Sequence, residues 1–412
     1  MRGLSLIKKV AIVTATRAEY GLLSNLIKAV DAHPKFDCQL LVTGAHLVFE
    51  QGLTVKHIRA DGVEIAAEIP ILPETTTNGN ENVTLSDAVA KATSGFARAF
   101  ARLTPDCVVV LGDRYELLGI CSAALLAHIP IVHIHGGEVT EGAVDEAIRH
   151  AVTKMAHLHF VAAEPYRQRV IQMGEQPQCV FNVGAPGLDV IKTTEFLSKK
   201  ELSDSLEMPL TSPLFLVTYH PVSWGETSGI TALHNLFKAI EQFPDATVVW
   251  TAANTDATGA ELNQHVNQWI STTQMNATFV SSLGSQRYLS LMKVCDVVLG
   301  NSSSGIIEAP AMGVATVNIG KRQTGRLRAP SVIDCDEQQQ DIRLALEQSL
   351  APEFKILAAK KVSCYGQGHS AKEMVGQLEK ALLSERACLG VKSFYNLPLN
   401  INESIDEKGE TV

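Results

Sequence analysis

The chain has 412 residues, 46% of them apolar and 19% charged, with 35 Lys and Arg against 44 Asp and Glu for a net charge of −9. That length exceeds one ordinary core and implies two or three globular domains. The acidic balance argues against wholesale binding to a nucleic-acid backbone and leaves any anionic small ligand to a local cluster of cations. No run reaches the roughly 18 apolar residues of a membrane span. Lys8 and Lys9 interrupt the N-terminal apolar stretch, which makes a poor signal peptide. The eight cysteines (Cys38, Cys107, Cys121, Cys179, Cys295, Cys335, Cys364, Cys388) show no C-x-x-C pair and read as reduced core thiols of a cytoplasmic protein.

In chain order, Lys9–Thr14 is a short buried strand, and Arg17 stands in the loop before a helix with Leu22, Leu23, Leu26 and Ile27 at helical spacing. Cys38–Val42 is a second strand, Glu74–Asn82 a polar mobile loop, and Leu85–Leu103 a helix closed by Pro105. Two β-branched runs, Val108–Leu111 and Ile129–Ile134, flank an Ala/Leu-rich helix and form a β-α-β unit. Strands at 158–163 and from Cys179 follow, the latter leading into Gly184-Ala185-Pro186-Gly187, a candidate hinge, and then a polar connector, Thr193–Ser212. Leu214–Thr218, Thr247–Trp250, Thr278–Val280, Val297–Leu299 and Thr316–Asn318 are a second set of strands with helices between them. Ala371–Ser384 is an amphipathic helix near the junction, and the chain beyond Leu397 is a frayed polar tail. The expected architecture is α/β, with two doubly wound Rossmann-like domains, 1–186 and 187–370, facing a cleft that closes on its ligand, and a terminal helix and tail, 371–412.

Open α/β sheets bind ligands beyond the carboxyl ends of their strands, where ionisable side chains gather here. Asp113 and Arg114 follow the first strand of the central unit, and His133, His135 and Glu138 close the second. Asp145 and Arg149 lie four apart on the next helix and share a face, as a catalytic pair or as a surface ion pair. Asp113, Glu138 and Asp145 on one rim suit proton removal from carbon and its return, each positioned group contributing about 10²–10⁴-fold. His133 and His135 point to one side of a strand, so a metal-dependent hydrolase completed by Asp113 or Glu138 is a rival reading. Such histidines also serve as hydrogen-bonding core groups.

In the second half, Gly300-Asn301-Ser302-Ser303-Ser304-Gly305 joins a strand end to a helix start, which suits a phosphate, although a Ser-capped helix explains it equally well. Glu308, one turn in, can accept from ribose hydroxyls. Arg322 and Arg326 can neutralise a diphosphate or belong to a solvated basic loop, and His220 can donate to the same diphosphate or be structural. Neither G-x-G-x-x-G nor G-x-x-x-x-G-K-[ST] occurs, so the ligand reads as a nucleoside diphosphate carrying another group.

TRAEYG around Arg17, Gly112-Asp113-Arg114, HIHGGE with TEGAVDEAIRH, YHP around His220, GNSSSGIIE and GKRQTGR together resemble the hydrolysing UDP-N-acetylglucosamine 2-epimerases that open sialic acid synthesis, over about residues 9–385. The sister group acting on UDP-N,N'-diacetylbacillosamine, in legionaminic acid synthesis, carries the same motifs. The resemblance implies a GT-B-like fold with UDP held mainly by the second domain. Arg17, Arg114, His220, Asn254, Ser302, Ser303, Glu308 and Arg322 would bind the UDP-sugar, and Asp113, Asp145 and Arg149 fall on catalytic positions. Members often carry HIEGGE, with an acid/base Glu where this chain has His135, so either His135 or Glu138 takes that role here. An imidazole, titrating near pH 6.5, is suited to it.

The implied reaction removes the C2 proton as UDP leaves C1, giving a 2-acetamidoglucal. Water then adds at C1 and C2 is protonated from the other face, yielding N-acetylmannosamine or the corresponding diacetamido sugar. The resemblance also implies no metal or redox cofactor and a homodimer or homotetramer. The GDR and GGE forms, in place of GDT and HVEAGLR, argue against a non-hydrolysing epimerase. Asp113 and Asp145 argue against a silent sugar-nucleotide sensor.

Overall fold

The computed structural model describes residues 7–49, 52–73, 81–140, 144–220, 229–253, 257–385 and 388–398. Strands β1 (Lys8–Thr14), β2 (Phe36–Thr43), β3 (Ile65–Ile69), β4 (Cys107–Leu111), β5 (Ile131–Ile134), β6 (Leu158–Val161) and β7 (Val180–Asn182) form one parallel sheet in the order β3-β2-β1-β4-β5-β6-β7. A second parallel sheet runs β10-β9-β8-β11-β12-β13, from β8 (Leu214–Thr218), β9 (Thr247–Thr251), β10 (Asn276–Val280), β11 (Val297–Gly300), β12 (Ala315–Ile319) and β13 (Val332–Cys335). All five residues of CVVVL in β4, LFLVT in β8 and TVVWT in β9 are buried, as strands covered by helices on both faces require. Strand order reverses between β1 and β4 and again between β8 and β11. At such a reversal the connections leave for opposite faces, opening a crevice beyond the strand ends.

The two faces of the first sheet bury alternate residues of the same strands. Val10, Ile12 and Val109 pack with Leu23, Leu26 and Ile27 of helix Arg17–Asp31, joined by Ala371, Met374 and Leu378 of helix Ser370–Glu379. Ala11, Val13, Val108 and Val110 pack on the other side with Phe96, Phe100 and Ile120. In the second sheet, Phe237 stacks on Trp269 at 4.8 Å and meets Trp250 edge-on at 5.5 Å. Aromatic pairs of this kind add about 0.5–1.5 kcal/mol beyond the area they bury.

The chain crosses between the sheets twice, side by side. The Ala185 amide donates to the Tyr365 carbonyl at 2.8 Å, and the Asp189 carboxylate accepts from the Ser370 and Ala371 amides at 2.9 and 2.7 Å, anchoring the start of the terminal helix.

Several expectations change. Edge strands β3 and β13 are half-exposed and short, so no continuous apolar run announced them. The connector Thr193–Ser212 contains a helix, Lys199–Leu206, started by a reciprocal Ser198–Glu201 cap. The cysteines are not all reduced. Cys179 and Cys388 form a disulfide with Cα atoms 5.4 Å apart, while Cys38, Cys107, Cys121, Cys295, Cys335 and Cys364 are free. A separation of 209 residues leaves no spacing signal for that pair.

The bridge pins a strap, residues 388–398, against the segments that lead into β6 and β7. Lys392 donates to the Ala156 carbonyl and to Glu175, and the Tyr395 amide donates to Gly174 at 2.8 Å. Most of the expected polar loop (74–80) and the tail from 399 onward lie outside the described residues. No helix among the described residues is long and apolar enough to cross a membrane.

Candidate active site

The functional side chains project from the carboxyl ends of the strands beside both reversals. In the first sheet, β1 ends at Thr14, and the next helix starts with Thr16 as its cap, whose hydroxyl accepts from the Glu19 amide. The Glu19 carboxylate turns back to accept from the Ala15 and Thr16 amides at 2.8 and 3.0 Å. Burial, reinforced by neighbouring Glu116 and opposed by Arg114, raises this carboxyl to about 7. Arg114 donates to Glu116 at 2.6 Å and lies 3.9 Å from Glu19, so its guanidinium is held between two carboxylates at the rim.

Beyond β4 and β5 the charges interlock. Arg149, on helix Val144–Met155 and 2% exposed, donates to the Asp113 carboxylate, to the Thr140 hydroxyl at 2.8 Å and to Glu146 at 3.0 Å. Burial, with Arg326 nearby, lowers its guanidinium to about 10, which leaves it cationic at neutral pH. Arg149 forms its ion pairs with Asp113 and Glu146 and not with Asp145, four residues before it on the same helix. Burial raises the Asp145 carboxyl against the pull of Arg114 and Arg322.

The two histidines of HIHGGE part company. His133 is fully buried within β5, its Nδ1 facing the Thr153 hydroxyl at 3.1 Å and its Nε2 facing the Gly112 carbonyl at 2.7 Å. Burial lowers it to about 3, so it is neutral. Both ring nitrogens are occupied, which removes it from the HxH metal reading. The strand ends at Ile134, and His135 adopts a left-handed backbone, φ 67°, with its ring on the lining of the cavity described below. Gly137 follows at φ 76°, where a Cβ would overlap the Tyr166 carbonyl, and this tight loop returns Glu138 beneath the imidazole to pair with His135 Nδ1.

In the second sheet, Gly300 ends β11 at φ 131°, where a Cβ would overlap the Thr218 carbonyl. Ser302 then caps helix Ser303–Met312, accepting from the Ser304 amide at 3.4 Å. Asn301 is buried and exchanges two hydrogen bonds with the His220 backbone, at 2.7 and 2.9 Å, tying the loops after β8 and β11 together. Its carbonyl accepts from Arg322 at 3.0 Å and Gln323 at 2.8 Å. Burial next to Arg322 lowers the His220 imidazole to about 3. Burial raises Glu308 to about 7, partly offset by Arg326 and His135.

Between the sheets lies a cavity of about 160 Å³ whose polar lining is Asp113, His135, Glu138 and Arg149 from one side and Ser303, Glu308 and Arg326 from the other. Leu22, Leu111 and Ile307 line its apolar part. Contacts tie the sides together, among them these. Arg326 lies 3.4 Å from Glu138, and Arg17 donates to the Ser282 hydroxyl at 2.6 Å. Of the sequence-derived set, Arg17, Arg114, Asp145, His220, Ser302 and Arg322 sit on the surrounding rims rather than on the cavity lining, and Asn254 lies outside the described residues. Arg326 was legible as a phosphate cation, but its pairing with Glu138 was not, because the partners belong to different sheets.

A family model described as UDP-N-acetylglucosamine 2-epimerase matches residues 28–379. The chain is 42% identical over 348 residues to a Campylobacter jejuni protein named GDP/UDP-N,N'-diacetylbacillosamine 2-epimerase (hydrolyzing), covering 84% of this chain and 89% of that one. It is 34% identical over 371 residues to the UDP-N,N'-diacetylbacillosamine 2-epimerase (hydrolyzing) of Legionella pneumophila, covering 89% and 94%. The crystal structure of UDP-GlcNAc 2-epimerase from Neisseria meningitidis bound to UDP-GlcNAc superimposes with a TM-score of 0.76 at 18% identity, covering 90% of this chain and 100% of that one. With two parallel-sheet α/β domains in a GT-B-like arrangement and a family match across most of its length, the chain belongs to the hydrolysing UDP-N-acetylglucosamine 2-epimerase family.

Proposed function

We propose that the chain hydrolyses a UDP-2-acetamido sugar with inversion at C2, releasing UDP and the free 2-epimer. The observation that carries this is the shared cavity, in which Asp113, His135, Glu138 and Arg149 of the first sheet face Ser303 and Glu308 at the helix start of the second. One side is suited to moving protons at a sugar carbon and the other to holding a nucleoside diphosphate.

The C2–H bond breaks, its electrons form the C1=C2 double bond, and the C1–O electrons leave with UDP. Water then adds its oxygen to C1 while C2 gains a proton on the opposite face. Arg322, anchored on Asn301, and the N-terminus of helix Ser303–Met312 stabilise the charge on departing UDP, with Ser302 and Ser303 at the phosphates and Glu308 at the ribose. Asp145, its carboxyl raised by burial, is suited to hold a proton at the rim, where Arg114 faces it.

UDP-N-acetylglucosamine, giving N-acetylmannosamine, is the first substrate expected from the motifs. The names of the Campylobacter and Legionella relatives favour UDP-N,N'-diacetylbacillosamine ahead of it. Proton NMR of the enzyme in D2O with EDTA, given each sugar nucleotide in turn, tests the reading. The expected result is UDP together with a 2-epimer deuterated at C2. Release of a C2-protonated sugar, or of no UDP from either substrate, defeats it.

A further inference from the structure

Among the ionisable groups lining the cavity, the basic atoms are nearly all committed. Asp113 is paired with Arg149, and Glu138 is engaged by His135 on one oxygen and by Arg326 on the other. Glu308 belongs to the nucleotide side, and burial keeps it partly protonated near neutrality. One atom stands apart. His135 Nε2 is buried and has no hydrogen-bond partner among the described residues, although the ring lines the cavity.

Its orientation is fixed from both ends. The His135 amide donates to the Phe160 carbonyl at 2.9 Å, which continues the β5–β6 register one residue past the strand. The Arg169 guanidinium donates to the Gly137 carbonyl and holds the loop that brings Glu138 under the ring. Burial works against the Glu138 carboxylate, yet the Arg326 charge and the hydrogen bond from His135 hold it below its ordinary range, so it is ionised and can only accept. Nδ1 therefore carries the proton that Glu138 receives, and in the neutral tautomer with that arrangement the Nε2 lone pair is bare.

Resting on the epimerase reading above, we infer that His135 Nε2 is the base that removes the C2 proton, with Glu138 and Arg326 as positioning residues. As the C–H bond breaks, its electron pair enters the C1=C2 bond, the C1–O pair departs with UDP, and the proton passes to Nε2. The imidazolium formed is balanced by the Glu138 carboxylate beneath it. Arg326 comes from the second sheet, so the base is aligned only when the two sides of the cleft meet. The charged and titratable groups facing the ring are Glu138, Arg326, Glu308 and His133, with Asp113 and Arg149 sharing its cavity.

The test uses the full-length enzyme and whichever of the two sugar nucleotides it turns over. His135→Ala is expected to lower kcat by about 10²–10⁴-fold, to leave UDP affinity by calorimetry within threefold, and to recover part of kcat with added imidazole. Glu138→Gln is expected to lower kcat less and to move the acidic limb of its pH profile downward, because the imidazolium loses its counter-charge. Glu138→Asp is expected to restore part of both. Retention of kcat within threefold in His135→Ala, or loss of activity together with UDP affinity and without imidazole rescue, overturns the assignment.

Nitrogen-15 NMR of the free enzyme, with His135→Asn assigning the resonance, reads the tautomer without turnover and should show a protonated Nδ1 and a bare Nε2. UDP release by an enzyme whose neutral His135 is protonated at Nε2 sinks the base assignment alone. The expected tautomer in an enzyme that releases no UDP sinks the functional reading, and the base role with it.

Discussion

The ends of β4 and β5 and the ends of β8 and β11 occupy equivalent places beside the reversals of two similar parallel sheets, yet they are built from different materials. The first rim is a lattice of charge, Arg149 with Asp113 and Glu146, His135 with Glu138, Arg114 with Glu116. The second is a rim of small residues, hydroxyls and a helix start, with Arg322 fastened to a backbone carbonyl. Topology decides where a crevice opens, whereas the loop residues decide what it can do there. A charged lattice holds protonatable groups in fixed relation. A helix start offers backbone N–H groups to an anion and changes no proton.

Substitutions should separate the two rims by kinetic constant. The largest effect is expected for Asp113→Asn, which removes the charge that faces Arg149 in the cavity. kcat should fall about 10²–10⁴-fold while UDP affinity stays within threefold. A matching loss of UDP affinity would erase the distinction between the rims. Arg322→Ala should show the converse, weakening UDP binding by calorimetry roughly 10–100-fold, as loss of a charge-assisted hydrogen bond implies, with a smaller effect on kcat. Arg326→Gln removes an ion pair that joins the rims and should cost about tenfold in kcat/KM, spread over both constants, in line with close charge pairs across interfaces. An effect confined to KM would assign Arg326 to the nucleotide alone.

The smallest effect concerns charges that lie away from both rims. Burial opposes the Glu175 carboxylate, but His159, Lys154 and Lys392 hold it down to about 2 from an ordinary 4.5. A depressed carboxyl adds stability above its unfolded value, and that stability is lost as pH falls from about 4.5 towards 2. Over that window Tm should drop about 1–3 °C more in the wild type than in Glu175→Gln, without a difference in kcat at neutral pH. A change in kcat would show that this cluster communicates with the cavity.

Both doubly wound sheets were legible in the sequence because their central strands are uninterrupted apolar runs. β3 and β13 were not, since an edge strand with one covered side carries no such run. In the site, Asp113, His135, Glu138 and Arg149 were legible from their places after strands, and the structure gathers them in one cavity. The rival metal reading of His133 with His135 fails because both His133 nitrogens are engaged within the fold and His135, past the strand end at Ile134, pairs with Glu138. Asp145 has the helical spacing to meet Arg149, but Asp113 and Glu146 hold that guanidinium instead. Contacts between distant parts of the chain, Glu138 with Arg326 and Cys179 with Cys388, depend on tertiary placement, which no local pattern encodes.

The terminal helix and strap bear on the order in which this molecule can be completed. Ala371, Met374, Leu378, Ala381 and Leu382 belong to the core of the first sheet, yet they are synthesised some 190 residues after its last strand, β7. At about 5–20 residues per second a ribosome takes on the order of 10–40 s to supply them. Throughout that interval the nascent first half carries an open apolar face on helix Arg17–Asp31, while the second half is still being made. The amino-terminal half therefore emerges with part of its core still missing, and a single cut between the two sheets separates that core from the helix that completes it.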